Sequence, residues 1–211
     1  VKDGVEPRPR KDAQRNRERL LAAAVAAFSR DADAPLEGIA RAAGVGIGTL
    51  YRHYPTREAL VEAAYRSELA RLCAAAAELL HLHPPALALR QWMDRFLDYM
   101  ATKRAMGDAL RAVVAAGGQP FSESRTLLTE AVSTLLRAGA ATGSLRPGVA
   151  AEDVLLGLIG MAQALRDPDQ RAQAGRLADL LVDGLRFGAR ERGAAPRPTG
   201  RRPIRSSKRS G

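Results

Sequence analysis

Gly44 and Pro55 stand eleven positions apart, and one short helix is what fits between them. Glycine takes positive φ without steric cost and so ends a helix; proline pushes the residue before it out of the helical region. Two apolar stripes precede this bracket. Leu21, Ala24, Val25 and Phe28 recur at i, i+3, i+4 and i+7, and Leu36, Ile39, Ala40 and Ala43 repeat the pattern. That is the period of a helix with one buried face. The polar stretch 30–33 separates the stripes, and Pro35 falls in the first turn of the second, where proline is tolerated. A third helix is then confined to about 47–54. Ala40 and Gly44 are small where the second and third helices must cross, while Val45 and Leu50 can plug the crossing. Such a helix-turn-helix offers its short second helix to the major groove of DNA, first residues nearest the base edges. The spacing alone equally describes a helical hairpin in a bundle.

The rest of the chain reads as more helix. Thr56 is placed to cap a fourth one, whose stripe runs Leu60, Val61, Ala64, Leu69, Leu72, Cys73, Ala76, Leu79 and Leu80 before Pro84 and Pro85 stop it. Further helices are expected near 86–103, 106–116, 122–141, 151–165 and 169–188, punctuated by Gly117-Gly118, Gly143, Pro147-Gly148 and Asp167-Pro168. No useful strand-like alternation appears, so the expected class is all-α. Residues 1–14 carry two prolines and no apolar period and read as a flexible basic arm. Residues 191–211 are mostly Gly, Pro, Arg and Ser, have no core-forming period and read as a disordered basic tail.

Charge distribution narrows the function. Residues 1–60 carry 11 Lys/Arg against 8 Asp/Glu, residues 61–189 carry 14 against 14, and residues 190–211 carry 8 against 1. Basic ends around a neutral middle fit a nucleic-acid partner, whereas a DNA-packaging protein would be basic throughout. Arginine outnumbers lysine 29 to 4, which with the alanine excess reflects a GC-rich genome more than a phosphate-binding design. No run of 18 apolar residues exists, so no membrane span is expected. A polar start and a single cysteine, Cys73, suit a reducing cytoplasm. Catalysis is not expected: there is no Gly-x-Ser-x-Gly elbow, no phosphate-binding glycine loop and no zinc motif. His81 and His83 alone do not make a metal site, and neither metal nor cofactor is expected.

Residues 48–60, Gly-Thr-Leu-Tyr-Arg-His-Tyr-Pro-Thr-Arg-Glu-Ala-Leu, resemble the signature of the tetracycline-repressor (TetR) family. The preceding Ile-Ala-Arg-Ala-Ala-Gly-Val and the Ala-Ala-Phe closing the first helix match as well, so the resemblance covers about 15–66. It implies a three-helix DNA-binding domain over 15–58 and a helical effector-binding and dimerisation domain over 59–190. The implied function is a transcriptional regulator, a repressor released from a palindromic operator by a small molecule; the alternative is a helical DNA-binding protein without an effector. Carried over residue by residue, Thr49 resembles the recognition-helix hydroxyl that reaches a base or phosphate. Tyr51 and His53 resemble the pair on the sugar-phosphate backbone and neighbouring bases. Arg57 stands where the family usually has a lysine against a phosphate, with Thr56 the adjacent cap. Arg52 lies on the groove side, and Tyr54 reads as core. The chain departs from the commonest pattern in having Gly46, Ile47 and Gly48 open the recognition helix. Readout then leans on Ile47 against thymine methyls and on DNA shape. Arg8, Arg10, Lys11, Arg15 and Arg17 are placed to follow phosphates or enter the minor groove.

The resemblance also implies a ligand pocket among helices four to eight. Candidate lining residues are the bulky and polar-aromatic ones: Trp92, Met93, Phe96, Tyr99, Met100, Met106, Phe121 and Met161. Homodimerisation is expected through the last two helices. Leu155, Leu158, Ile159 and Ala162 would form one stripe, with Gly157 and Gly160 allowing close approach, and Leu177, Leu180, Leu181 and Leu185 the other.

Overall fold

The computed structural model describes residues 8–164 and 167–187, and no strand occurs among them. The helices are α1 (Arg8–Phe28), α2 (Leu36–Ala42), α3 (Ile47–His53), α4 (Arg57–Leu82), α5 (Pro85–Ala105), α6 (Gly107–Ala115), α7 (Ser124–Thr142), α8 (Ala151–Ala164) and α9 (Arg171–Arg186). A 3₁₀ turn, Pro168–Gln170, leads into α9. The expected basic tail lies outside the described residues.

The first three helices pack through one end of a core that continues into the rest of the chain. Leu20, Leu21, Ala24 and Phe28 of α1 meet Leu36, Ile39, Ala40 and Ala43 around α2, with Leu50 of α3 fully enclosed and Tyr54 packed beside it. The reading of residues 1–14 as a flexible arm is corrected in part, because α1 already begins at Arg8. Its early turns are exposed from residue 12 to 15, and a solvated helix needs no apolar stripe to announce it. Gln14 instead donates to Glu18 at 2.8 Å, a same-face i,i+4 contact. Residues 1–7 lie outside the described residues.

α4 starts as its cap residue dictates, with Thr56 Oγ1 accepting from Ala59 N–H at 3.1 Å. It is 26 residues long and is buried at Leu60, Val61, Ala64, Leu69, Leu72, Ala76 and Leu79, among others; Cys73 and Leu80 are half-buried. Burial, and then Glu130, push the Cys73 thiol up to about 11, which leaves it protonated and unreactive. α5 opens on Pro85, a residue suited to the first helical position. It packs against α4, α7, α8 and α9, which explains why its apolar positions wrap most of the way round. Trp92 fixes its register against α4 by donating Nε1–H to the Leu72 carbonyl at 2.9 Å.

α7 ends at Gly143, whose φ of 72° is a left-handed conformation natural to glycine. The chain then folds Leu145 onto Gly139 so closely that a Cβ there would collide with the Leu145 side chain. Arg146 N–H donates to the Leu185 carbonyl at 2.8 Å, tying this turn to α9. A charged brace completes the attachment of α9. Arg90 on α5 pairs with Asp94 and Asp179, and Arg171 reaches Asp98 at 2.8 Å and Asp94 at 3.2 Å. Burial opposes ionisation of Asp94, but the hydrogen bonds and charges of Arg90 and Arg171 prevail and hold its carboxyl below the ordinary range.

The expected dimer stripes are corrected by half a helix face. Leu155, Leu158 and Ala162 of α8 and Leu185 of α9 are buried within the chain. The outward face is Leu156 and Gly160 on α8 with Leu180 and Gly184 on α9, bordered by the half-buried Ile159, Leu177 and Leu181; Leu156 and Leu180 are each about two-thirds exposed. An apolar period shows that a helix has a buried side. It cannot divide that side between the chain's own core and a second copy. No helix among the described residues is long and apolar enough to cross a membrane.

Candidate nucleic-acid interface and ligand cavity

The turn between α2 and α3 is made by backbone. Gly44, at φ 67°, lets its own N–H reach the Arg41 carbonyl and the Val45 N–H reach the Ala40 carbonyl at 3.0 Å, closing α2 and reversing the chain. Gly46 caps α3 in extended conformation with no side-chain bond, its carbonyl accepting from Thr49 and Leu50 N–H. Leu50 then anchors α3 inward, which leaves Tyr51, Arg52 and His53 exposed and Ile47 and Thr49 half-exposed. A Cβ at Gly46 or Gly48 would meet nothing within 4 Å. Neither glycine is needed by the fold, so the start of α3 is bare backbone.

Around this surface, Arg15 is exposed on α1. Arg19, not singled out by the sequence reading, lies over the turn, its Nη1 3.5 Å from where a Gly44 Cβ would stand. Thr56 caps α4. Arg57 has a different position from the one its match implies: Nη1 donates to the Ala34 carbonyl at 2.8 Å and the Ala32 carbonyl at 3.2 Å, and the guanidinium stands 5.7 Å over the Phe28 ring. It fastens the α1–α2 loop to α4.

The second feature is a cavity of about 270 Å³ among α5, α7, α8 and the loop before α7. Phe96, Tyr99, Met100 and Leu128 floor it, Leu155 and Ile159 wall it, and Lys103, Phe121, Ser124, Arg125 and Glu152 supply its polar and outer surface. Beneath it, Tyr65 of α4 joins Tyr99 of α5 and Ser124 of α7, hydroxyl to hydroxyl at 2.6 and 3.0 Å. Burial, with the Tyr65 hydrogen bond next, pushes the Tyr99 phenol above its ordinary range and keeps it neutral. Tyr65 also meets the Phe121 ring edge-on at 5.2 Å.

Comparison with known proteins decides what this combination is. The description "Bacterial regulatory proteins, tetR family" matches residues 20–64, and "Transcriptional regulator SbtR-like, C-terminal domain" matches residues 84–187. A TetR transcriptional regulator from Streptomyces coelicolor is 56% identical, with a TM-score of 0.77 over 81% of this chain and 98% of that one. The chain belongs to the TetR family of transcriptional regulators.

A TetR regulator from Mycobacterium vanbaalenii is 30% identical at TM-score 0.68, over 84% of this chain and 98% of that one. SmeT, the repressor of the Stenotrophomonas maltophilia multidrug efflux pump SmeDEF, shares the fold at 19% identity and TM-score 0.56, over 87% of this chain and 97% of its own. No curated protein matches the chain.

Within this TetR-family frame the expected pocket residues divide. Phe96, Tyr99, Met100 and Phe121 line the cavity. Trp92, Met93 and Met106 do not; each is fully enclosed in the packed interior, Trp92 being stacked behind Phe96 with ring centroids 5.7 Å apart. Met161, half-buried on α8, is not part of this wall. Size and softness identify good cavity material, but the largest side chains are also the most effective core fillers. Tyr65, Lys103 and Ser124 were missed because nothing local distinguishes them; what marks them is that three different helices carry them to one place.

Proposed function

We propose that this regulator is a homodimeric repressor that holds a palindromic operator with two α3 helices and lets go when a small molecule fills the cavity. The observation that carries the reading is the Tyr65 hydroxyl. It sits about two turns into α4, the helix that begins at the Thr56 cap directly after α3, and it bonds to two cavity residues, Tyr99 and Ser124. A ligand that displaces or reorients those hydroxyls acts on the helix that carries the DNA-reading head. Both heads must enter grooves about 34–36 Å apart at once, so a small tilt of α4 is enough to lose the operator.

On DNA, Thr49, Tyr51, Arg52 and His53 provide the polar contacts, Ile47 an apolar one, and Arg15 a phosphate contact along α1. Thr56 and Arg57 act one step behind them, by seating α4 and the α1–α2 loop. The second copy covers the outward face of α8 and α9 around Leu156 and Leu180. An operator-binding regulator of this kind works in the bacterial cytoplasm.

The test is a gel-shift titration on the protein's own promoter, followed by release in the presence of compounds that raise the melting temperature. A compound that fills the cavity while the operator stays bound would remove the effector reading. Equal separation of the α3 helices in free, ligand-bound and DNA-bound dimers would remove the tilt.

A further inference from the structure

Resting on the reading of the cavity as the effector site, we infer that the effector is an organic anion, a small carboxylic acid with an apolar or aromatic body, whose carboxylate is held by Lys103. Lys103 is half-buried at the cavity wall, and no carboxylate among the described residues forms a salt bridge with it. What it has instead is aromatic: Nζ stands 4.4 Å from the Phe121 ring centroid and 5.8 Å from that of Tyr65. Two ring faces orient an ammonium without neutralising it, so the charge stays available to an anion. Arg125, the second cation of the wall, likewise forms no salt bridge among the described residues, and a single acidic side chain, Glu152, stands in the cavity lining.

The hydroxyl chain points the same way. Tyr99, Tyr65 and Ser124 own three O–H protons, and the two bonds that join them use two. When the chain of donors runs in one direction, the third proton is left on a terminal hydroxyl, Tyr99 or Ser124, and both of these line the cavity. In either one-way arrangement the site offers one hydroxyl donor, and a carboxylate, which only accepts, complements a cation beside such a donor. The floor of Phe96, Met100 and Leu128 takes the apolar body. At about 270 Å³ the space suits a molecule with a single ring. Lys103 and Phe121 also wall an apolar groove of about 410 Å³ along α6, so turning the Phe121 ring aside would admit a longer tail.

The experiment uses the full-length dimer and three molecules of matched shape: 3-phenylpropanoate, its primary amide and 3-phenylpropylammonium. Binding is followed by thermal shift and by the fluorescence of Trp92, the chain's single tryptophan, which stacks on the cavity residue Phe96. The acid is expected to bind about tenfold more tightly than the amide, the scale of one charge-assisted hydrogen bond, with the ammonium weakest. Lys103→Met should abolish that preference, bringing acid and amide to similar affinities, and Lys103→Arg should retain most of it; circular dichroism checks both folds. Phe121→Ala should favour 5-phenylpentanoate over the shorter acid. Equal binding of acid and amide, an unchanged acid affinity in Lys103→Met, or no binding by any of the three at millimolar concentration would overturn the inference. Operator release separates the two levels. Selective acid binding with DNA still held would sink the reading of the cavity as an effector site and leave only an anion site, and release by neutral compounds alone would sink the anion.

Discussion

The head formed by α1–α3 and the body formed by α4–α9 use their side chains in opposite directions. In the head, residues of interest point outward: Leu50 takes the interior, and its neighbours Thr49, Tyr51 and Arg52 are left toward solvent. In the body they point inward, where Tyr65 of α4, Tyr99 and Lys103 of α5 and Ser124 of α7 come together in one small space. An outward-facing site depends on the geometry of one helix and can be altered without collapse. An inward-facing site shares its walls with the core, so binding and packing are changed together.

The strongest way to break this contrast is to attack the head from inside. Leu50→Ala removes a completely enclosed side chain at the α2–α3 crossing and should cost about 2–5 kcal/mol, read as a lower urea midpoint and lost operator binding. Tyr51→Ala, one residue away but about half exposed, should keep the urea midpoint and weaken operator binding by about 1–3 kcal/mol. Full operator affinity in the Tyr51 variant would mean that α3 is not the reading helix.

Arg57 sharpens the comparison, because its match implies an outward role and its contacts show an inward one. Arg57→Ala frees the Ala32 and Ala34 carbonyls and uncovers Phe28, and should destabilise the head by about 1–3 kcal/mol. The salt dependence of DNA binding should hardly change. A slope lower by about one with stability intact would instead restore Arg57 to a phosphate.

Gly48→Ala should give a smaller effect of opposite sign in the two assays. Its Cβ would meet nothing, and alanine is favoured over glycine in a helix by up to about 1 kcal/mol, so thermal stability should rise slightly. Operator affinity should fall if backbone approaches DNA there; unchanged affinity would place that surface away from the duplex.

The mildest expectation concerns pH. Because the Asp94 carboxyl is held below its ordinary range, its support for the α5–α9 brace is fully present above the ordinary carboxylate pKa. It is lost as pH falls through the depressed value. As pH falls, dimer dissociation followed by light scattering should therefore begin before helix content is lost, and Asp94→Asn should make the dimer weaker at neutral pH and less pH-dependent. An identical acid profile in the Asn variant would remove Asp94 from the brace.

Much of the head was legible along the chain because its determinants are local. Gly44 does end α2 at positive φ, Thr56 does cap α4, and Tyr54 is core; each follows from the conformational range or hydrogen bonding of a single residue. The solvated first turns of α1 escaped notice because a helix without a buried face has no apolar period. In the body, helix positions were legible and their roles were not. Met106 and Phe121 look equally suited to a pocket, yet one is sealed in the interior and the other stands at the cavity rim.

What the sequence by itself determined, then, is the order and approximate extent of the helices, the helix-turn-helix and the family. Those depend on periods, caps and breaks within a few residues of one another. Only the tertiary structure decided which bulky side chains line the cavity, that Arg57 holds a loop, and which half of the α8 and α9 stripes faces outward. Those outcomes depend on how helices far apart in the chain pack together, since a helical period records that a side chain is buried and does not record against what.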